Sequence, residues 1–317
     1  MSPPQLPTEI WERVIDWIPI FDGLGYRWMH NTTTKNTLSA CSLVNWSWLP
    51  RARFHLFIHV ELTTTRQSQA FLSILLRFPS ASKGVKQLAI FPSKPDSTTA
   101  KIEPSHYNWV YNILATLPNF LTELESLIFT ELPDLHPTFI VMASRFRSVR
   151  ELQLLELDKM SFSEVVRLIN RFPRLQVLNI ANCQWVKPAH YYPSKKCQLY
   201  RLWFDTDGDC QDDALRWMTS SMDCFSALQV LLLTSPSTMT VRGDPRVESI
   251  LVQCSRTLKF LLLDIDEENF GEYNDYIGQL IGSTPGRISF PDTPYSTGMD
   301  LLEPVAHGLY GIPTIAS

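Results

Sequence analysis

The sequence predicts an α/β protein: a short, all-helical amino-terminal module followed by a solenoid with a parallel inner sheet and outer helices. Three observations carry that expectation. A six-residue apolar pattern recurs seven times between residues 85 and 263. Stretches with helical apolar spacing stand before most of the copies. Ahead of them come two short, very apolar stretches that contain tryptophan, "LPTEIWERVIDWIPIF" (6–21) and "CSLVNWSWLPRARFHLF" (41–57).

The first of these stretches reads as a helix opening at Pro7 or Thr8, where a fixed φ and a missing N–H suit the first turn and Glu9 favours the helix dipole. Ile10, Val14, Trp17 and Ile18 share one helical face, Trp11 and Ile15 widen it, and Pro19 is expected to end the helix. A helix this short and this apolar must bury its surface against something. A second helix is expected over residues 38–48, with Leu38, Cys41, Val44 and Trp48 nearly in line and Pro50 marking its end. Packed only on each other, such surfaces would leave an apolar patch that calls for a partner.

These two stretches, in this order, resemble the F-box, the small helical domain that binds the Skp adaptor of Skp–cullin–F-box ubiquitin ligases. The form with "CSLV" and "LPRAR.HLF" looks most like the F-box proteins of mushroom-type fungi. The resemblance covers roughly residues 5–58. It implies that Leu6, Pro7, Glu9, Ile10, Val14, Ile15, Ile18, Pro19, Leu43, Val44 and Trp48 bind the Skp adaptor, and through it cullin. The short acidic turn usual between the first two helices is replaced here by "IFDGLGYRWMHNTTTKN", read as a loop insertion over residues 20–36. The plainer alternative is a helical cap on a protein-binding scaffold with no ubiquitin-ligase role.

The repeated pattern is apolar-x-x-apolar-x-apolar: "VKQLAI", "LESLIF", "VRELQL", "LQVLNI", "LYRLWF", "LQVLLL" and "LKFLLL". Its second apolar position falls at Leu88, Leu127, Leu152, Leu178, Leu202, Leu231 and Leu261. After the long first step, the separations fall within the leucine-rich-repeat period of about 20–29 residues or just beyond it. Residues 175–183 fit that repeat's L-x-x-L-x-L-x-x-[NC] form. "QAFLSILLRFP", "WVYNILATLP", "FIVMASRF", "EVVRLINRFP", "DALRWMTSSM" and "VESILVQCS" read as the outer helices. Proline at the end of several of them turns the chain into the next strand. The expected organisation is therefore residues 1–60 as the F-box-like module, 61–268 as about seven repeats, and 269–317 as a Gly- and Pro-containing tail or cap.

In such a solenoid the leucines face the helices and alternate residues face the other way. Glu151, Gln153, Asn179, Arg201, Trp203, Asp205, Thr234 and Asp264 are therefore expected on the concave face as the surface for a protein target. Trp203 and Arg201 stand out, since tryptophan and arginine are enriched at binding hot spots. The last two strands are apolar on both sides, which calls for cover on both, and the tail from Phe270 has apolar residues to supply it.

Other chemistry finds little support. A net charge of −4 and a pI near 6.0 make no case for nucleic acid or an anionic membrane as partner. No secretory signal or membrane-spanning stretch is visible, so an intracellular location, cytoplasmic or nuclear, is expected. Six cysteines without a C-x-x-C pair read as reduced thiols, with no metal ligands among them. "DTDGDCQDDALR" has its glycine and its twelfth residue wrong for a calcium loop. No nucleotide-binding or nucleophile motif occurs, so neither catalysis nor a cofactor is expected.

Overall fold

The structure is a computed structural model and describes residues 7–21, 32–92, 107–132, 137–157, 160–187, 197–205, 208–234 and 245–263. The chain divides into two compact units: Met1–Val60 with Pro291–Ser317, and Glu61–Phe290.

Among its described residues the first unit holds three helices: α1 (Thr8–Phe21), α2 (Thr32–Val44) and α3 (Leu49–Ile58). Its core is small. Ile15, Leu38 and Ala52, one from each helix, are fully buried, with Ile18, Cys41, Trp48 and Leu56 packed around them. Trp11 tilts against Trp48 with ring centroids 4.7 Å apart. Asp16 of α1 accepts two hydrogen bonds from the Arg51 guanidinium of α3, at 2.5 and 2.7 Å, and His55 Nε2 lies 2.7 Å from the same carboxylate. This fork-to-fork pair ties α1 to α3 beside the apolar contact.

Three expectations are corrected here. Pro19 does not end α1, which runs on to Phe21 with the proline inside its last turn. So close to the helix end, proline's missing N–H removes only one of the closing hydrogen bonds. The second helix closes at Val44 instead of continuing to Trp48, and a turn over residues 45–48 follows it. Pro50 then opens a third helix, taking the first-turn position that proline favours. Finally, α2 begins at Thr32, inside the stretch expected to be a loop.

The second unit is α/β. Among the described residues, eight strands form one sheet in the order β1 (His59–Leu62), β2 (Gln87–Ile90), β3 (Ser126–Thr130), β4 (Glu151–Leu155), β6 (Val177–Ala181), β8 (Arg201–Asp205), β9 (Val230–Thr234) and β10 (Phe260–Leu263). Two short strands, β5 (Met160–Ser161) and β7 (Trp185–Lys187), pair parallel with each other. From β2 to β10 the pairings in the main sheet are parallel and join sequence neighbours among its strands.

A sheet that grows in one direction through crossovers of one hand carries its helices on one face. The helices are α4 (Thr65–Arg77), α5 (Asn108–Thr116), α6 (Pro137–Ala143), α7 (Phe162–Ile169), α8 (Gly208–Ser220) and α9 (Pro245–Cys254). Each touches the next along the row. Each of the six helical stretches read from the sequence lies largely within one of them. The helix α7 is fixed at its start by a capping box, in which Ser161 and Glu164 satisfy each other's backbone N–H.

The seven leucines stand in register across the sheet, from Leu88 through Leu127, Leu152, Leu178, Leu202 and Leu231 to Leu261, all fully buried. Full burial stabilises each side chain by roughly 1.5–3 kcal/mol relative to exposure. The residue two further on shows which way they point. Phe129 meets Phe139 of α6 and Phe204 meets Phe162 of α7, with centroids 4.9 and 6.3 Å apart. Leucine parity therefore faces the helices. Trp217 of α8 lies edge-on to both Phe162 and Phe225, completing an aromatic core.

Two backbone devices recur along the unit. The carbonyl just before a strand accepts from two consecutive N–H groups at the start of the next. Glu125 takes Arg150 and Glu151, Arg150 takes Gln176 and Val177, and Gln176 takes Tyr200 and Arg201, all at 2.7–3.0 Å. Just after β3, β4 and β6 stand Glu131, Glu156 and Asn182, each with φ of 53°. Their N–H groups donate to the carbonyls of Leu155, Ala181 and Asp205, the last residues of the neighbouring strands. No helix among the described residues is long and apolar enough to cross a membrane.

Candidate interaction surfaces

Two surfaces concentrate the residues singled out by the sequence. The first is on the helical unit. The apolar residues of α1 split into two stripes at i, i+4, i+7: Trp11, Ile15 and Ile18 turn inward, while Ile10, Val14 and Trp17 are 43, 49 and 54% exposed. The end of α2 and the turn after it are more open still, with Leu43 at 87% and Trp46 at 86% exposed and Val44 also in solvent.

The eleven residues implied by the F-box resemblance therefore fall into groups. Pro7, Glu9, Ile10, Val14, Leu43 and Val44 are exposed, and Ile18, Pro19 and Trp48 are half-buried. Ile15 is core. Leu6 lies outside the described residues. Trp17, Trp46 and Phe54 are exposed large apolar residues that the sequence reading left out of the set. The signal for Trp17 was present, since it shares the stripe of Ile10 and Val14.

The second surface is the sheet face turned away from the helices. It presents three rows across neighbouring strands. One runs Gln87, Ser126, Glu151, Val177, Arg201, Val230; the next Ala89, Ile128, Gln153, Asn179, Trp203, Leu232; the third Thr130, Leu155, Ala181, Asp205, Thr234. Gln153, Asn179 and Trp203 are thus consecutive neighbours, as expected, with Glu151, Arg201 and Asp205 beside them.

Their exposure differs from the expectation of an open face. Gln153 and Asn179 are buried, while Glu151, Arg201, Trp203 and Asp205 are half-buried. Gln153 Nε2 donates to Glu151 Oε1 at 2.8 Å. Among the described residues, Gln153 Oε1, Asn179 Oδ1, Ser126 Oγ and Thr130 Oγ1 are buried with no hydrogen-bond partner. Thr234 ends β9, its side chain outside the described set, and Asp264 and the tail from Phe270 also lie outside the described residues.

Among the described residues, Cys183, Cys197, Cys224 and Cys254 are buried and Cys41 is half-buried. Contact with Cys224 and burial push the Cys197 thiol up, and burial pushes Cys254 to about 12. No group of three or more His, Cys, Asp or Glu among the described residues could hold a metal ion. No protein-family model matches the chain, and no curated protein matches it.

Proposed function

We propose that this chain is a substrate-recognition adaptor of a Skp–cullin–F-box ubiquitin ligase, its helical unit an F-box that docks the Skp adaptor and its second unit a leucine-rich-repeat solenoid that serves target recognition. The observation that supports the docking role is the split of α1. Ile15 and Ile18 are the share of α1 in the small core and Trp11 stacks on Trp48, yet Ile10, Val14 and Trp17 form a second apolar stripe that stays 43, 49 and 54% exposed. A lone helical cap gains nothing from that stripe, whereas a partner would bury it. Exposed Leu43, Val44 and Trp46 enlarge the apolar surface on offer. For the solenoid the support is the leucine register, which repeats one buried position over seven strands. Catalysis would reside in the ligase's other subunits, this chain raising the local concentration of a target lysine.

The test is co-purification of the full chain with a Skp adaptor. The triple variant Ile10→Ala, Val14→Ala, Trp17→Ala changes only exposed positions, so the fold and its circular dichroism are expected to persist while Skp binding is lost. Undiminished binding by a folded triple variant would overturn the reading.

A further inference from the structure

An unbalanced charge stands at the end of the α/β unit where helices lead into strands. The turn from α6 into β4 reads "SRFRSVR" (144–150), and the turn from α7 into β6 reads "NRFPRLQ" (170–176). Together they hold Arg145, Arg147, Arg150, Arg171 and Arg174, and no acidic residue. All five arginines are exposed. We propose that this pair of turns is a docking site for an acidic peptide segment of a partner protein, whose Asp or Glu carboxylates the arginines hold.

The two turns repeat one construction. Phe146 and Phe172, then Val149 and Leu175, are buried at matching positions. The N–H groups of Val149 and Leu175 donate to the carbonyls of Phe146 and Phe172, at 3.5 and 3.2 Å. These anchors point inward and leave the arginines between them outside, with Arg145 matched to Arg171. The strands that follow are paired neighbours, about 4.8 Å apart, so the two sets make one patch. The Arg150 carbonyl ties the turns together by accepting from the N–H groups of Gln176 and Val177 at 2.7 and 2.9 Å. Arg145 is held in place as well, its guanidinium donating to the Ala115 carbonyl at 2.6 Å and to Asn119 Oδ1 at 2.9 Å.

None of the five makes an ion pair among the described residues. Elsewhere in the unit cations do: Lys86 lies 3.0 and 3.4 Å from Glu123 and Glu125, and Asp212 pairs with Arg216 and Arg246. A cation at a helix C-terminus favours the helix dipole, but that effect fades beyond the last turn. It accounts for Arg145 and Arg171 and leaves Arg147, Arg150 and Arg174 without a structural role. Like charges gathered this closely repel one another, a cost that an anionic partner would remove.

The surroundings select the partner. A guanidinium fork fits a carboxylate in two parallel hydrogen bonds. On the β3 side the patch is bounded by Glu123 and Glu125, and on the β8 side by uncharged Gln198 and Tyr200. A nucleic acid, with a charge about every 1.7 Å, would overrun the two turns onto those carboxylates. The net charge of −4 also disfavours a long polyanion. An extended peptide places alternate side chains about 7 Å apart on one side, so a few residues bring two or three carboxylates over adjoining turns.

The site is independent of the adaptor reading, since peptide binding is measured without a Skp adaptor and can hold or fail by itself. Where that reading holds, the acidic segment belongs to the target.

The test is fluorescence anisotropy of a labelled peptide of sequence EAEAEA with the full chain at about 0.15 M salt. Saturable binding is expected, weakened at least about tenfold by Arg147→Gln with Arg174→Gln. The pair Arg150→Gln with Arg171→Gln is expected to do the same, which guards against one variant failing to fold. Arg66→Gln with Arg77→Gln removes as much charge from exposed positions of α4 and is expected to leave affinity within about twofold. Absent binding, or an equal loss in this control, would overturn the proposal. So would tighter binding of a labelled single-stranded DNA that is lost in the patch variants.

Discussion

The two units bury their residues in opposite proportions. In the helical unit, Ile15, Leu38 and Ala52 are the fully buried apolar side chains among the described residues, against exposed Ile10, Val14, Trp17, Leu43, Val44, Trp46 and Phe54. In the α/β unit nearly every described strand residue from β2 to β9 is buried or half-buried, on both faces. A domain of some 60 residues holds only a marginal core, so placing apolar residues on its surface lowers its margin further. The contrast teaches that one unit commits its apolar residues to stability and the other turns many of them outward.

The largest effect expected is in the α/β unit. Trp217→Ala removes an indole packed edge-on to Phe162 and Phe225 and is expected to destabilise that unit by about 4 kcal/mol. Calorimetry should show the loss in the α/β unit's transition alone. Ile15→Ala comes next, at about 3 kcal/mol, and against so small a core it is expected to unfold the helical unit while leaving the other transition in place. One shared transition shifted by either variant would show that the units melt together and break the comparison.

The smallest effect concerns Asp16. The hydrogen bonds from Arg51, followed by that with His55, hold its carboxyl below the usual carboxylate range. A depressed carboxylate stabilises the fold above its unfolded pKa and loses that contribution as pH falls through the folded value. Asp16→Asn is therefore expected to cost at most about 1 kcal/mol at neutral pH, since both partners are partly solvated. Melting curves of the two proteins should converge below about pH 4. A gap that persists in acid would show that the carboxylate charge is not what ties α1 to α3.

What could be read from the sequence follows the same divide. The leucine positions were legible because strand alternation and a repeat period are local properties, and the six helices were legible from their apolar spacing. The two prolines were not. Pro19 and Pro50 carry the same missing N–H, but one sits in a last turn and the other in a first, and position decides what that does. The inward stripe of α1 was equally hidden, because nearly the whole helix is apolar and Leu38 and Ala52 select the side that turns in. Burial of Gln153 and Asn179 is a property of the tertiary arrangement, which no local pattern encodes.

The left-handed residues after β3, β4 and β6 also bear on how such a chain can be lengthened. Glu131, Glu156 and Asn182 keep the same spacing as Leu127, Leu152 and Leu178 of the strands they follow, with the same φ and the same donor role. Left-handed backbone is costly for glutamate and easy for asparagine or glycine, so identical geometry on different residues marks a position the architecture imposes. Each is a matching joint. A gene segment running from one joint to the next encodes one strand, its return helix and the hydrogen bonds at both seams. Duplicating or losing it leaves every neighbouring strand with its partners in place. Growth by whole units is thereby the path of least disruption, and a protein surface can be extended in steps of one strand without redesigning the rest.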